Sequence, residues 1–348
     1  MAKRNATKRN PTLRDVAALV GVHLSTVSRA LDPRTRHLIT AELAERIRAA
    51  AGQLDYRPNA IAYGLRTRRS RSIGALIPDI TNPIFPPILR GIEDVLAPLH
   101  YVTLIVNTDD DPDKAAEAVA QLRSRGVDGL VIACAMRHDT MLAQALAEHL
   151  PVVAVNRTAE LPGLGSVIHD EAHGMAALLA HLVGLGHRRI AHIAGPEALS
   201  TGAGRRIAFR AELARHGLAE VHGMIVQAAR FSEQEGERCA EALLGAAQPP
   251  TAIVAGNDLL ALGALQALAR RGLRCPEDVS ITGYNDMAFV DRLAPPLTTV
   301  RIATYEAGRR AARLILQQIE GAVPAPVERL AVTLIVRGST GPVRPRQD

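Results

Sequence analysis

No tryptophan occurs among the 348 residues, and Phe and Tyr together supply 3% of them. Ring stacking therefore has few places to occur, and Phe85, Phe209, Phe231 and Phe289 are the whole phenylalanine complement. Long apolar runs are missing as well. None reaches the roughly 20 residues that span a bilayer, and the basic opening MAKRNATKRN is followed by no apolar core. The chain is thus expected to carry neither membrane anchor nor export signal, which argues against the periplasm. Cysteine is scarce. Cys134, Cys239 and Cys275 show no paired spacing and read as reduced thiols of a cytoplasmic protein, not as a disulfide framework. The 12 histidines form neither HExxH nor a clustered ligand set, and no GxSxG or Cys-His-Asn arrangement is found. No metal, cofactor or catalytic residue is expected.

What is present is unevenly spread. The apolar share of 47% suits a soluble globular protein, and the length suits two or three packed units. Residues 1–72 hold 15 Lys/Arg against 5 Asp/Glu, the remainder 26 against 30, within a net charge of +6. One end is built to meet a polyanion and the rest is not. That basic end contains TLRDVAALVGVHLSTVSRAL, Thr12 to Leu31. Val16, Ala17, Leu19 and Val20 are apolar at helical spacing, Gly21 interrupts, and Val27, Ala30 and Leu31 resume the period. Two short helices around a glycine turn make a helix-turn-helix. With its apolar side inward, the second helix leaves Leu24, Ser25, Thr26 and Arg29 to face outward, where they reach base edges in a major groove.

Thr40 is a plausible cap for a third helix, in which Leu43, Ile47, Ala50 and Leu54 form one stripe closing a small core. In DYRPNAIAYGLRTRRSRS, Pro58 bars a continuous helix, and Asn59 is placed to cap a short one from Ala60 to Leu65. So short a helix does not offset its nucleation cost alone; a partner surface must support it. From Ser72 the texture changes to alternating strands and helices, and after about Ala159 the pattern restarts. Continuous Val/Ile/Ala strands between helices mean parallel sheets covered on both faces. Two such runs give two doubly wound lobes. Ligands of such sheets sit beyond the carboxyl ends of the strands. Those ends read Asp79 to Asn82, Asn107 to Asp109, Asn156 and Arg157 in one run, then Gly195 to Glu197, Asn257 and Asp258, Asn285 and Asp286 in the other. Such polar lining suits a small polar molecule. Arg205, after a glycine pair at a helix start, is electrostatically disfavoured there unless an anion lies nearby. Asp258 either caps its helix or meets the ligand. The acidic run 109–113 reads as a helix cap, not a cation site.

These stretches together resemble the LacI/GalR family of bacterial transcription regulators over nearly the whole chain after residue 11. TLRDVAALVGVHLSTVSRAL is similar to the DNA-reading hairpin and LDYRPNAIAYGLR to the hinge. IGALIPDITNPIF, GVDGLVIAC, LVGLGHRRIAHIAGP, TAIVAGNDLLALGAL and SITGYND…PPLTTV are similar to the effector core. The implied fold is α/β: an N-terminal three-helix helix-turn-helix head plus hinge helix, joined to a two-lobed periplasmic-binding-protein-like core of doubly wound parallel sheets. Its implied limits are 1–58 for the head, with 1–11 disordered, 59–71 for hinge helix and linker, and 72–340 for the core. Within the core the first lobe takes about 72–160 and 297–320, the second about 161–290 and 325–340, and 341–348 is a tail without a leucine heptad.

The resemblance implies a homodimer on a roughly palindromic double-stranded operator, and Thr12, Leu24, Ser25, Thr26, Arg29, Asn59, Ala60 and Leu65 as DNA contacts. Leu65 falls on the hinge leucine that opens a base step from the minor groove. It also implies a small polar metabolite held by Ile84, Phe85, Asn156, Arg157, Arg205, Asn257, Asp258, Asn285 and Asp286, whose binding changes the lobe angle and thereby operator affinity. His23 departs from the family's usual small hydroxyl cap and is a poorer capper; Asn285 and His169 stand where Asp is common. The reading is a cytoplasmic DNA-binding repressor. The rivals are a cytoplasmic solute-binding protein and a cleft enzyme.

Overall fold

The computed structural model describes residues 11–32, 35–56, 69–321 and 326–343. The chain divides into two compact units, one up to Ser70 and one from Arg71 onward. Residues 1–10, the hinge positions Asn59, Ala60 and Leu65, and the tail from 344 lie outside the described residues.

The first unit is three helices: α1 (Leu13–Val20), α2 (Leu24–Leu31) and α3 (Ala41–Gln53). Thr12 precedes α1, and both its backbone N–H and its hydroxyl donate to the Asp15 carboxylate at 2.7 Å, a capping-box contact. Gly21 ends the helix at φ +75°, with its N–H returned to the Ala17 carbonyl at 3.0 Å. A residue without Cβ takes that left-handed turn at little cost. Val16, Ala17, Val27, Ala30, Ala44, Ile47, Ala50 and Ala51 bury one another between the helices, with Leu43 and Leu54 half-buried at the margin. Leu19 lies off this stripe and is 48% exposed. The span expected as a loop after α2 contains one 3-10 turn, Arg36–Leu38.

The second unit holds two lobes. Its first sheet contains β1 (Ser72–Ile77), β2 (Val102–Asn107), β3 (Gly129–Ile132), β4 (Val152–Val155) and β5 (Gly165–His169). All are parallel, in the order β2-β1-β3-β4-β5. Three helices follow their strands along the chain: α4 (Phe85–Leu96), α5 (Pro112–Ser124) and α6 (Thr140–Ala147). The chain then builds a second sheet from β6 (Ile190–Ala194), β7 (Ile225–Gln227), β8 (Ala252–Ala255) and β9 (Ser280–Thr282), in the order β7-β6-β8-β9. Its helices are α7 (Glu171–Gly184), α8 (Ser200–Arg215), α9 (Glu233–Leu244) and α10 (Asp258–Arg270). Each sheet buries Val, Ile and Ala toward both faces, as parallel sheets require.

The end of the chain departs from the expected lobe limits. β10 (Thr299–Arg301) is joined to the second sheet by bridges from Thr282 to Thr298 and from Asn285 to Arg301, and it pairs antiparallel with β12 (Thr333–Ile335). Residues 297–301 therefore belong with the second lobe, not the first. Conversely β5 pairs with β4, and β11 (Val327–Leu330) adds to β5, so 165–169 and 327–330 complete the first sheet. Both had been expected in the second lobe. The reason is backbone pairing: an open edge on the first sheet is satisfied by a strand that arrives from the far end of the chain. α11 (Thr304–Ile319) also returns to the first lobe and lies against α4. There Gly91 and Gly308 let the backbones approach: an added Cβ would stand 2.1 Å from the Tyr305 carbonyl oxygen in one case and 2.0 Å from that of Ile88 in the other. The chain thus passes between lobes three times, at 169–171, 301–304 and 330–333.

Candidate functional site

The outward face of α2 presents Leu24, Ser25 and Arg29 to solvent, with Thr26 half-buried. Thr12 sits at the start of α1 with its hydroxyl turned to Asp15. At the N-terminus of α2 the histidine ring caps the helix: His23 Nδ1 accepts the Ser25 N–H at 3.2 Å and lies 2.8 Å from Ser25 Oγ. The expectation of a poor capper is corrected here, because a neutral imidazole nitrogen reaches an orphan N–H as a serine oxygen would. At the other end, the Thr35 hydroxyl donates to the Arg29 carbonyl at 3.1 Å.

In the second unit a narrow cleft lies between the carboxyl ends of the two sheets, lined by Asn82, Ile84, Asn156, Arg157, Thr201, Arg205, Phe231, Asn257 and Asn285. Six of these are residues that sequence singled out: Ile84, Asn156, Arg157, Arg205, Asn257 and Asn285. Asn82 belongs to the strand-end stretch 79–82 that sequence placed along the cleft. Two were missed: Thr201 and Phe231 sit at a helix start and a loop without a distinguishing pattern. Three expected residues do not line the cleft. Phe85 is buried in the first-lobe core. Asp258 is completely buried, and its carboxylate accepts the Thr299 hydroxyl at 2.6 Å and the Met287 N–H at 2.8 Å. Asp286 pairs with Arg301 at 2.6 Å and with Arg337 at 2.7 Å. Both aspartates hold the loop that carries Asn285, so their carboxylates are turned away from the opening by their partners.

The charges that do reach the cleft are already matched. Arg205, only 2% exposed, makes a two-pronged contact with Glu171, Nε at 2.5 Å and Nη2 at 3.1 Å. Its Nη1 donates to the Gly256 carbonyl at 2.6 Å, Nη2 to Asn285 Oδ1 at 3.4 Å, and its guanidinium stacks on Tyr284 at 3.8 Å. Burial works against the charge, but the charge and hydrogen bonds of Glu171 outweigh it and raise the Arg205 pKa. The anion that its position seemed to demand is thus Glu171 of the same chain. Arg157, 4% exposed, is likewise paired with Asp110. By contrast Asn156 Oδ1 is buried without a partner among the described residues, at a residue held at φ +66°. Asn257 Oδ1 caps α10 through the Leu260 N–H at 2.9 Å, which leaves its amide N–H groups available. Beneath the cleft, burial pushes the Asp258 carboxyl up to about 7 and the His169 ring down to about 4.

The cleft margin is bridged. Arg137 of the first lobe binds Glu160 at 2.7 Å on its own lobe and Glu197 at 2.8 Å across the gap, and its N–H donates to the Ala198 carbonyl at 2.9 Å. The Thr158 N–H donates to Ser200 Oγ at 3.0 Å. The two lobes are therefore closed toward each other. A larger hollow lies at the ends of β2 and β3. Three of its four acids are engaged: Asp110 with Arg157, Asp111 capping α5 through the N–H groups of Asp113 and Lys114, and Asp139 capping α6 through Leu142. No described group of acids, histidines and cysteines is arranged to hold a metal ion. No described helix is long and apolar enough to cross a membrane.

Comparison with known proteins agrees with this division. Residues 12–59 match the model for bacterial regulatory proteins of the lacI family, and residues 179–340 that for a periplasmic binding protein-like domain. The HTH-type transcriptional regulator DegA of Bacillus subtilis is 33% identical over 337 residues, covering 95% of this chain and 98% of its own. The ribose operon repressor of the same organism is 33% identical over 330 residues, covering 94% and 98%. Among solved structures, the lac repressor dimer bound to operator and the anti-inducer ONPF superposes with a TM-score of 0.85 at 27% identity, over 96% of this chain and 100% of that one. A capped helix-turn-helix with an open reading face, a two-lobed core with a polar cleft, and relatives matched from end to end leave one assignment: the chain belongs to the lacI family of bacterial transcriptional regulators, not to the enzymes or the free solute-binding proteins.

Proposed function

We propose that this protein is a cytoplasmic repressor that binds a roughly palindromic operator as a homodimer and responds to a neutral, polyhydroxylated small molecule held in the interlobe cleft. The observation that carries the ligand class is the internal pairing of Arg205 with Glu171 and of Arg157 with Asp110. An anionic ligand would have to displace a half-buried carboxylate from a buried guanidinium, which is costly. A neutral polyol needs instead the groups left over: Asn156 Oδ1, the amide N–H groups of Asn82 and Asn257 and the Thr201 hydroxyl, with Ile84 and Phe231 as apolar walls. That the Bacillus subtilis relative is a ribose operon repressor is in keeping with this class.

The homodimer is supported by apolar side chains left open along the first lobe. Edge strand β2 exposes Val102 by 59% and Ile105 by 45%, beside Leu99 at 50% and Ile80 at 51%. Leu24, Ser25, Thr26 and Arg29 of each copy then read one half-site, with Thr12 at its phosphates. The hinge positions Asn59, Ala60 and Leu65 join them in the minor groove.

Calorimetric titration of the full chain with free pentoses and hexoses, and with their phosphates, tests the ligand class. The free sugars should include a binder that shifts operator affinity, and Arg205→Ala should abolish that shift while the protein still binds operator. Binding confined to the phosphorylated compounds, or a normal response in Arg205→Ala, would overturn the proposal.

A further inference from the structure

Ser25 is the second residue of α2 and is exposed on the face turned outward. His23 Nδ1 receives the Ser25 backbone N–H at 3.2 Å and lies 2.8 Å from the Ser25 hydroxyl oxygen. A backbone N–H only donates, so the Nδ1 lone pair must face it, and the proton of the neutral ring is on Nε2. A nitrogen without a proton has nothing to give to Oγ. The 2.8 Å contact is therefore the serine hydroxyl donating to the ring. Its one proton is directed at the His23 ring, and the rest of Oγ carries lone pairs alone.

That polarity matters in a major groove. Adenine N6 and cytosine N4 are donors there, whereas guanine O6 and N7 and thymine O4 are acceptors. A free serine hydroxyl rotates and meets either kind. We propose that His23 is a specificity-determining residue: it fixes the Ser25 hydroxyl as an acceptor, so that the base facing Ser25 is read as adenine or cytosine and not as guanine or thymine. The inference rests on the reading that Ser25 faces a base edge. Sequence alone treats His23 as a substitute cap and gives no sign of this coupling, because it depends on where the ring turns.

The test is selection of bound duplexes from a randomised library, followed by sequencing, with the full chain and two variants. His23→Ser retains an efficient helix cap but cannot hold the neighbouring hydroxyl through a ring nitrogen. His23→Thr, a second natural cap, serves where the serine variant binds too weakly to score. Ser25→Ala removes the reading group. The native protein should enrich adenine or cytosine at one half-site position by about two- to tenfold, the worth of one ordinary hydrogen bond. Ser25→Ala and the His23 variant should both lose that preference at that same position, while the other positions keep theirs. A His23 variant that retains the preference overturns the role of the ring. Unchanged preference at every position in Ser25→Ala overturns the base-reading assignment itself, and the inference with it, while leaving operator binding by the head intact.

Discussion

Two buried histidines and one buried aspartate give the core a pH dependence whose sign follows from their surroundings. Burial holds His169 and His192 neutral, each down at about 4, and His192 is stacked on Phe209 with centroids 4.7 Å apart. Their stabilising contribution is full above about pH 6.5, the unfolded value, and is lost as pH falls through 4. Asp258 runs the other way. Burial raises it to about 7, so its contribution is full below the ordinary carboxylate range and is lost as pH rises through 7. Between about pH 4 and 6.5, unfolding takes up two protons at the histidines and releases one at Asp258. Stability should therefore fall with acidification, on the order of 1 kcal/mol per pH unit near the middle of this window, the value of about one net proton. His181 and His187, also lowered by burial, act on the same side as the other histidines. Urea unfolding across this window measures the slope, and Asp258→Asn should make it steeper. A flat profile, or a shallower one in the variant, would contradict the burial argument. At this scale the sequence was least legible. Glu171 escaped notice because an acid in the first turn of a helix is ordinary for the dipole, and nothing local marks it as the partner of Arg205 some 34 positions away.

Among the elements, helices and strands were readable because their periods are, and the helix-turn-helix was readable because Gly21 falls between two apolar stripes. The junction of α4 with α11 was not. Gly91 and Gly308 each look like weak points in a helix by propensity. Yet each lies where the partner helix's backbone passes close by, and only the fold shows it, Gly91 against Tyr305 and Gly308 against Ile88. Gly308→Ala should destabilise the first lobe even though alanine is the better helix former. Its Cβ would fall 2.0 Å from the Ile88 carbonyl oxygen, and backbone cannot step aside as a side-chain end does. The expected loss is about 1–3 kcal/mol, as for overpacked cores, read as a lower denaturation midpoint. A gain in stability would mean that the helices are not so closely set. Pairing of β5 and β11 escaped sequence reading for a related reason: parallel partners are set by tertiary crossings, and both strands read alike as short apolar runs.

For the whole molecule, the proposed dimer rests on the outer edge of the first sheet. Val102 and Ile105 are exposed apolar residues on edge strand β2, whose outer side pairs with no other described strand, a feature that soluble monomers avoid. Ile105→Lys should weaken self-association without unfolding the lobe, since the residue is already 45% exposed. Sedimentation at several concentrations would show a shift from dimer toward monomer, and specific operator binding should weaken with it. An unchanged dimer would place the interface elsewhere. The two-lobed plan was legible from the restart of the strand-helix pattern. The lobe limits were not, because the chain changes sides three times.

The last of those passages has an effect on synthesis. α4 turns Ile88 and Ile92 toward a surface that α11 completes, and α11 together with β11 emerges after some three hundred residues have left the ribosome. A chain terminated before Thr304 would contain the whole helix-turn-helix and nearly all of the second lobe, but with an apolar face of the first lobe bare. Such a product should be prone to aggregation and proteolysis. The order of the chain thereby ties the persistence of the DNA-binding segment to completion of the core that follows it.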